Sequence, residues 1–161
     1  MKTLLVLRHA KSNWENTDVS DFDRSLNRRG IETAPKVGKN LKNKKLQIDL
    51  ILSSPAKRAK QTAILVKETA EIDAQIKYEE KIYEASSLRL SQTIAKIDDK
   101  HETVLLVGHN PGIEDLVRLL SGEIKAFPTA ALAKITLKIE KWSDISKSCG
   151  DLDFLVIPKN I

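Results

Sequence analysis

The sequence predicts an α/β fold, a single domain over residues 1–161 with a mostly parallel sheet and helices on both faces. Three observations lead there. Short, continuous apolar runs recur at 3–7 (TLLVL), 49–53 (DLILS) and 103–107 (TVLLV), the pattern of strands buried on both faces. Segments with helical periodicity separate them. A length of 161 residues with 41% hydrophobic residues suits one packed core, and only 4% aromatics makes that core aliphatic.

The elements follow in order. The strand over 3–7 runs straight into Arg8 and His9. A helix is expected from Asn27, its cap, to about Leu41, with Pro35 kinking or shortening it. After the strand over 49–53, Ser54 caps a helix that starts at Pro55 and reaches about Ala70. Ser86 or Ser87 opens a further helix through about Ile97. After the strand over 103–107, Asn110 caps a helix with Pro111 in its first position, ending near Gly122. Two last runs, 131–139 (ALAKITLKI) and 152–157 (LDFLVI), read as strands that are more exposed or nearer an edge.

Composition narrows the function classes. The formal charge of +5 favours anionic partners. A lone cysteine, Cys149, builds neither an internal disulfide nor a cysteine-based metal site, so a reducing, cytoplasmic setting is the default expectation. The run after Met1 is too short for a secretory leader, and no run approaches the roughly 20 apolar residues of a membrane span. Neither membrane nor nucleic acid is an expected partner: no aromatics interleave with the basic residues, and the lysines are scattered. The lysine-rich stretch 36–60, with Asp49 its only acid, is either a solvated face or a positive field near an anion site. The apolar content fits a monomer without requiring one.

In open α/β sheets, ligands bind outside the carboxyl ends of the strands. There the sequence places Arg8-His9, then Ser53-Ser54-Pro55-Ala56-Lys57-Arg58, then Gly108-His109-Asn110-Pro111. His101 lies apart in a charged loop and is expected to be exposed. Arginine presents a planar fork matched to phosphate oxygens, and a helix start adds free N–H groups and the positive end of a dipole. A neutral imidazole in such a setting can attack phosphorus, and a second can hydrogen-bond to the equatorial oxygens. The two histidines could instead ligate a metal, but neighbouring cations oppose that and no carboxylate joins them. The expectation is phosphoryl transfer without metal or cofactor. A non-catalytic module that binds phosphate or nucleic acid is the alternative class.

These segments resemble the histidine phosphatase superfamily, which includes the cofactor-dependent phosphoglycerate mutases. LRHAKSNW resembles its "RHG" signature, and DFDRSLNRRG its R-x-L-[TN]-x-x-G segment. SSPAKRAKQTA resembles its S-x-x-x-R-x-x-Q-T-A helix start, and VGHNPGIEDL its second-histidine motif. FPTAALAKI, residues 127–135, and the short chain resemble the small SixA-type phosphohistidine phosphatase branch. The resemblance implies a phosphoglycerate mutase-like fold. It also implies a nucleophile at His9, phosphate-clamping arginines at Arg8 and Arg58, and a second pocket histidine at His109. Ser12 falls where the mutases place a polar substrate-pocket residue, or else is a loop hydroxyl. Glu84, in Ile82-Tyr83-Glu84, is the candidate general acid or else a helix cap. Ala10 replaces the family's glycine with little expected loss. Mutases carry Asn just after the tryptophan; here Glu15, expected to point outward, follows Trp14, and Asn16 comes one step late. The implied substrate is a phosphohistidine-bearing protein, with small phosphate esters as the alternative. With few insertions to form a lid, the site is expected to be a shallow, open groove.

Overall fold

The computed structural model describes residues 1–15 and 17–161; Asn16 lies outside the described residues. Six strands form one sheet in the order β3-β2-β4-β1-β5-β6. They are β1 (Lys2–Arg8), β2 (Leu50–Ser53), β3 (Ile76–Tyr78), β4 (Thr103–Gly108), β5 (Leu132–Leu137) and β6 (Gly150–Val156). The helices are α1 (Arg28–Asn43), α2 (Lys57–Ala70), α3 (Ser87–Ile94) and α4 (Gly112–Ser121). β3, β2, β4 and β1 run parallel, and β5 and β6 return antiparallel.

Alternation along the strands divides the core in two. Leu4, Val6, Leu52, Val104 and Leu106 face α3, α4 and Trp142 on one side. Leu5, Leu7, Ile51, Leu105 and Val107 face α1 and α2 on the other. All are buried, as apolar runs in a sheet covered on both faces must be.

Several elements depart from the sequence reading. α1 runs unbroken over 16 residues with Pro35 inside it, so the proline does not shorten it. Asn27 does cap it, accepting from the Gly30 N–H. α2 starts at Lys57, not Pro55, and Ala56 occupies the cap position. α4 starts at Gly112, one residue later than expected, although the Asn110 side chain still accepts from the Glu114 N–H. α3 stops at Ile94 rather than Ile97. β5 and β6 do lie toward one edge of the sheet, as expected, with β6 outermost. β3, three residues long and largely exposed, shows no apolar run and was not foreseen. His101 is half-buried instead of exposed, because its carbonyl accepts from Lys2 Nζ and from the indole N–H of Trp142.

The register brings the functional segments together. β1 and β4 are adjacent and parallel, with Arg8 paired to Gly108. His9 and His109 are therefore the next residues off two neighbouring strands, about 4.8 Å apart in an ideal sheet. β2 flanks β4 with Ser53 paired to Val107, which sets Ser54 beside them.

Candidate active site

The imidazole rings of His9 and His109 lie 5.1 Å apart, centroid to centroid, as the register requires. Both are buried, His9 at 6% and His109 at 9% exposure. Nδ1 of His9 is 2.7 Å from the Ala10 carbonyl oxygen. A carbonyl only accepts, so Nδ1 carries the proton and Nε2 keeps its lone pair. Burial, with Arg58, Arg8 and Arg24 nearby, lowers the His9 pKa to about 4, against the opposing Ala10 bond. Burial, then His9 and Arg58, lowers that of His109 to about 3. Both imidazoles are thus neutral at neutral pH.

His109 Nε2 lies 2.7 Å from the Ser54 hydroxyl. That hydroxyl also accepts from the Ala56 N–H, and the Lys57 N–H donates to the Phe22 carbonyl. The start of α2 therefore spends these two amides on its own surroundings, so the expected free amides are not both available, and Ser54 serves His109 rather than capping from the first turn.

Three guanidiniums surround the histidines. Arg8 donates through Nη1 to the Phe127 carbonyl, 3.0 Å away. The backbone of Phe127 is fixed on both sides, since Asn110 also donates to its carbonyl and Glu114 accepts its N–H. The FPTAALAKI segment thus anchors the end of β1, and the Ala130 N–H also points at the Arg8 and His9 carbonyls. Arg58 grips Asp21 twice, Nη1 to its carbonyl at 2.7 Å and Nη2 to its carboxylate at 3.1 Å. Arg24 donates to the same carboxylate at 3.0 Å and to the Ser12 hydroxyl, and lies 3.6 Å over the Trp14 ring. Ser12 is accordingly buried as a partner of Arg24.

Asp21 is the hub of this arrangement. Its carboxylate accepts from Arg24, Arg58 and the Tyr83 hydroxyl, the last at 2.5 Å. The Tyr83 bond, followed by the two arginines, holds its pKa well below the usual carboxylate range. Burial and this carboxylate push the Tyr83 phenol up to about 12. Tyr83 in turn meets the His109 ring edge-on at 5.5 Å and Phe22 at 5.2 Å. The segment that carries Asp21 is thereby held beside the two buried histidines.

Arg8, Arg58, His9 and His109 come together as the sequence predicts. Glu84 does not join their hydrogen-bond network: it is exposed, in a left-handed backbone conformation (φ 53°), and the side chain that caps α3 is Ser86. Its carboxylate still acts on Tyr83, helping to raise that phenol. Glu15 is exposed, as expected. The lysines of 36–60 are exposed on α1 and beyond it, with Lys42 paired to Glu71 and Lys44 over Phe154. Their exposure fits a solvated face.

Sequence reasoning missed Arg24, Asp21, Tyr83 and the bond from Ser54. Arg24 stood in a recognised segment whose pattern the structure now explains. Leu26 is a core anchor, Asn27 the cap, and Gly30 sits so close to Lys11 that a Cβ there would come 2.2 Å from its carbonyl oxygen. Asp21 and Tyr83 carry no strand-end signal, because loop packing brings them in.

Four buried atoms in this cluster have no hydrogen-bond partner among the described residues: Nε of Arg8, Arg24 and Arg58, and Nδ1 of His109. Three of the four are obligate donors, on arginines whose charges act on the His9 ring. Such an array can hold a tetrahedral oxyanion against the lone pair of His9.

Known proteins agree with this geometry. The family profile described as histidine phosphatase superfamily (branch 1) matches residues 4–87. An uncharacterized protein of Mycobacterium tuberculosis is 32% identical, with 95% of this chain and 100% of that protein covered. A crystal structure from Agrobacterium tumefaciens assigned as phosphohistidine phosphatase SixA superposes with TM-score 0.82 at 28% identity, covering 98% of each chain. The protein histidine phosphatase SixA complexed with tungstate has the same fold, with TM-score 0.84 at 24% identity over 98% of each chain. The chain belongs to branch 1 of the histidine phosphatase superfamily, and it is a phosphatase.

Proposed function

We propose that the protein removes the phosphoryl group from a phosphohistidine carried by another protein, in a cytoplasmic signalling or phosphotransfer system, through a covalent intermediate on His9. The observation that carries the reading is a neutral histidine with its Nε2 left free, acted on by three arginines whose buried Nε donors have no partner. The likeness to SixA structures, one of them with the oxyanion tungstate bound, adds support.

In this mechanism Nε2 of His9 attacks phosphorus, and the bond to the leaving imidazole breaks. Arg8, Arg24 and Arg58 meet the charge on the equatorial oxygens. His109, with Nε2 accepting from the Ser54 hydroxyl, donates from Nδ1 to the same oxygens. The leaving imidazole takes its proton from solvent, which suffices for a phosphoramidate near neutral pH. Water then attacks the phosphorylated His9, inorganic phosphate leaves, and the neutral imidazole returns. Asp21 orients the arginines and stays ionised, so it is no proton donor at neutral pH. Glu84 is the acid left to protonate an ester leaving group.

The test is phosphate release in the presence of EDTA from a phosphohistidine protein and from an aryl phosphate ester, for the wild type and His9→Ala. Turnover well above that on the ester, abolished by the substitution, is the expected result. Turnover on the ester alone would move the substrate to small phosphate esters.

A further inference from the structure

A second feature lies on the face of the sheet that carries α3 and α4. α3 is only eight residues long and leaves β2 and β3 incompletely covered. The gap is a groove of about 890 Å³ between those strands and α3. Leu50 and Leu52 form its floor, and Lys77, opposite Leu52 in the register, rises from β3. Arg89 lines it from α3 and Lys96 from just past the end of that helix, and Lys81 stands at the end nearer the active site.

The charges in this groove are not balanced. Its acids are engaged with the backbone: Asp49 accepts the N–H groups of Glu102 and Thr103 at 2.8 and 2.9 Å. Glu79 accepts the Lys81 N–H at 3.3 Å, and Asp98 the Lys100 N–H at 2.9 Å. The exposed side chains of Lys77, Lys81, Arg89 and Lys96 make no ion pair or hydrogen bond with any described residue.

The shape argues for a polypeptide occupant. The groove extends from Lys81, two residues before Tyr83 of the catalytic pocket, to Lys100 and His101, which precede β4 at the amino-terminal end of the parallel strands. A strand-length path of four or five residues is roughly 15 Å, the length of about ten helical residues. No Phe, Tyr or Trp lines it to stack a base.

We propose that this groove docks an acidic amphipathic segment of the phosphoprotein substrate, apolar side toward Leu50 and Leu52, with its phosphohistidine reaching His9. The inference rests on the phosphoprotein reading above. The groove cations then act through KM and encounter rate, while chemistry stays with the buried cluster.

The experiment compares two phosphohistidine proteins phosphorylated with phosphoramidate. They share one exposed phosphohistidine on a four-helix scaffold and differ only in an acidic or a basic helix face beside it. The enzymes are the full-length wild type and the charge-reversed K77E/R89E/K96E variant, with an aryl phosphate as control. The wild type is expected to favour the acidic substrate at least tenfold in kcat/KM, mainly through KM, and less so at high salt. The variant should lose or invert that preference while hydrolysing the aryl phosphate within twofold of wild type. Equal wild-type rates on the two proteins, or a preference unchanged in the variant, would overturn the docking assignment alone. Aryl phosphate turnover with none on either protein would overturn the phosphoprotein reading and the docking with it.

Discussion

Replacing Arg58 with lysine keeps the charge and removes the fork. The two outer nitrogens of Arg58 are committed to the Asp21 carbonyl and carboxylate, and Nε is buried without a partner. One side chain thus holds the Asp21 segment and still offers a donor to the phosphoryl group. A lysine ammonium in the same space can keep the anchor or meet the oxyanion, but not both. The loss is one charge-assisted hydrogen bond, about 1.5–3 kcal/mol. If that bond is made mainly in the transition state, kcat/KM falls roughly 10- to 150-fold, with kcat carrying most of it. The assay is steady-state hydrolysis of an aryl phosphate and a phosphohistidine protein, with thermal unfolding followed in parallel. A variant that unfolds like the wild type and loses activity on both substrates supports the argument. Activity within twofold of the wild type would refute it, because Arg58 would then not contact the transferred group.

The remaining predictions concern the hub and the titrating groups. Asp21→Asn removes the charge on which Arg24, Arg58 and Tyr83 converge, and should lower the melting temperature by roughly 4–8 °C, corresponding to about 2 kcal/mol, together with a drop in kcat; an unchanged melting curve would contradict the hub role. In an NMR titration, His9 and His109 should stay neutral down to pH 5 and protonate near 4 and 3; a midpoint near 6.5 for either would show that burial does not govern it. Because those folded pKa values lie below the unfolded 6.5, the unfolded state alone takes up protons as pH falls from 6.5 toward 4, so stability declines across that window, by roughly 3 kcal/mol for His9; His9→Phe should flatten the decline measured by urea unfolding. Glu84→Gln should slow ester hydrolysis more than phosphoramidate hydrolysis, and equal effects on both would remove Glu84 from the chemistry.

What could be read in the sequence was what local pattern carries: continuous apolar runs, helical periodicity and ordered motifs. The buried strands β1, β2 and β4 announce themselves because both faces are covered and their central residues are all apolar. Once their carboxyl ends are located, Arg8, His9, Arg58 and His109 fall at one edge without any contact being known. Features fixed by a single tertiary contact could not be read in this way. Ser54 looks like a cap until His109 claims its hydroxyl and the helix starts at Lys57 instead. β3 has too few apolar residues to be heard, since it is an edge strand paired only with β2. Asp21 lies among loop residues whose polarity matches any solvated turn, and only its packing shows that two arginines and a phenol converge on it. Trp14 was read from its place in a motif, yet it sits 73% exposed under Arg24, a pairing no periodicity encodes.

The most direct test of the account is to trap the phosphoenzyme. The wild type is mixed with substrate, quenched in alkali to preserve phosphohistidine, and mapped by mass spectrometry. The account predicts one phosphoryl group on His9, bound through Nε2, absent from His9→Ala and discharged by water at a rate no slower than kcat. Turnover that persists in His9→Ala, or a phosphoryl group on any other residue, would contradict it.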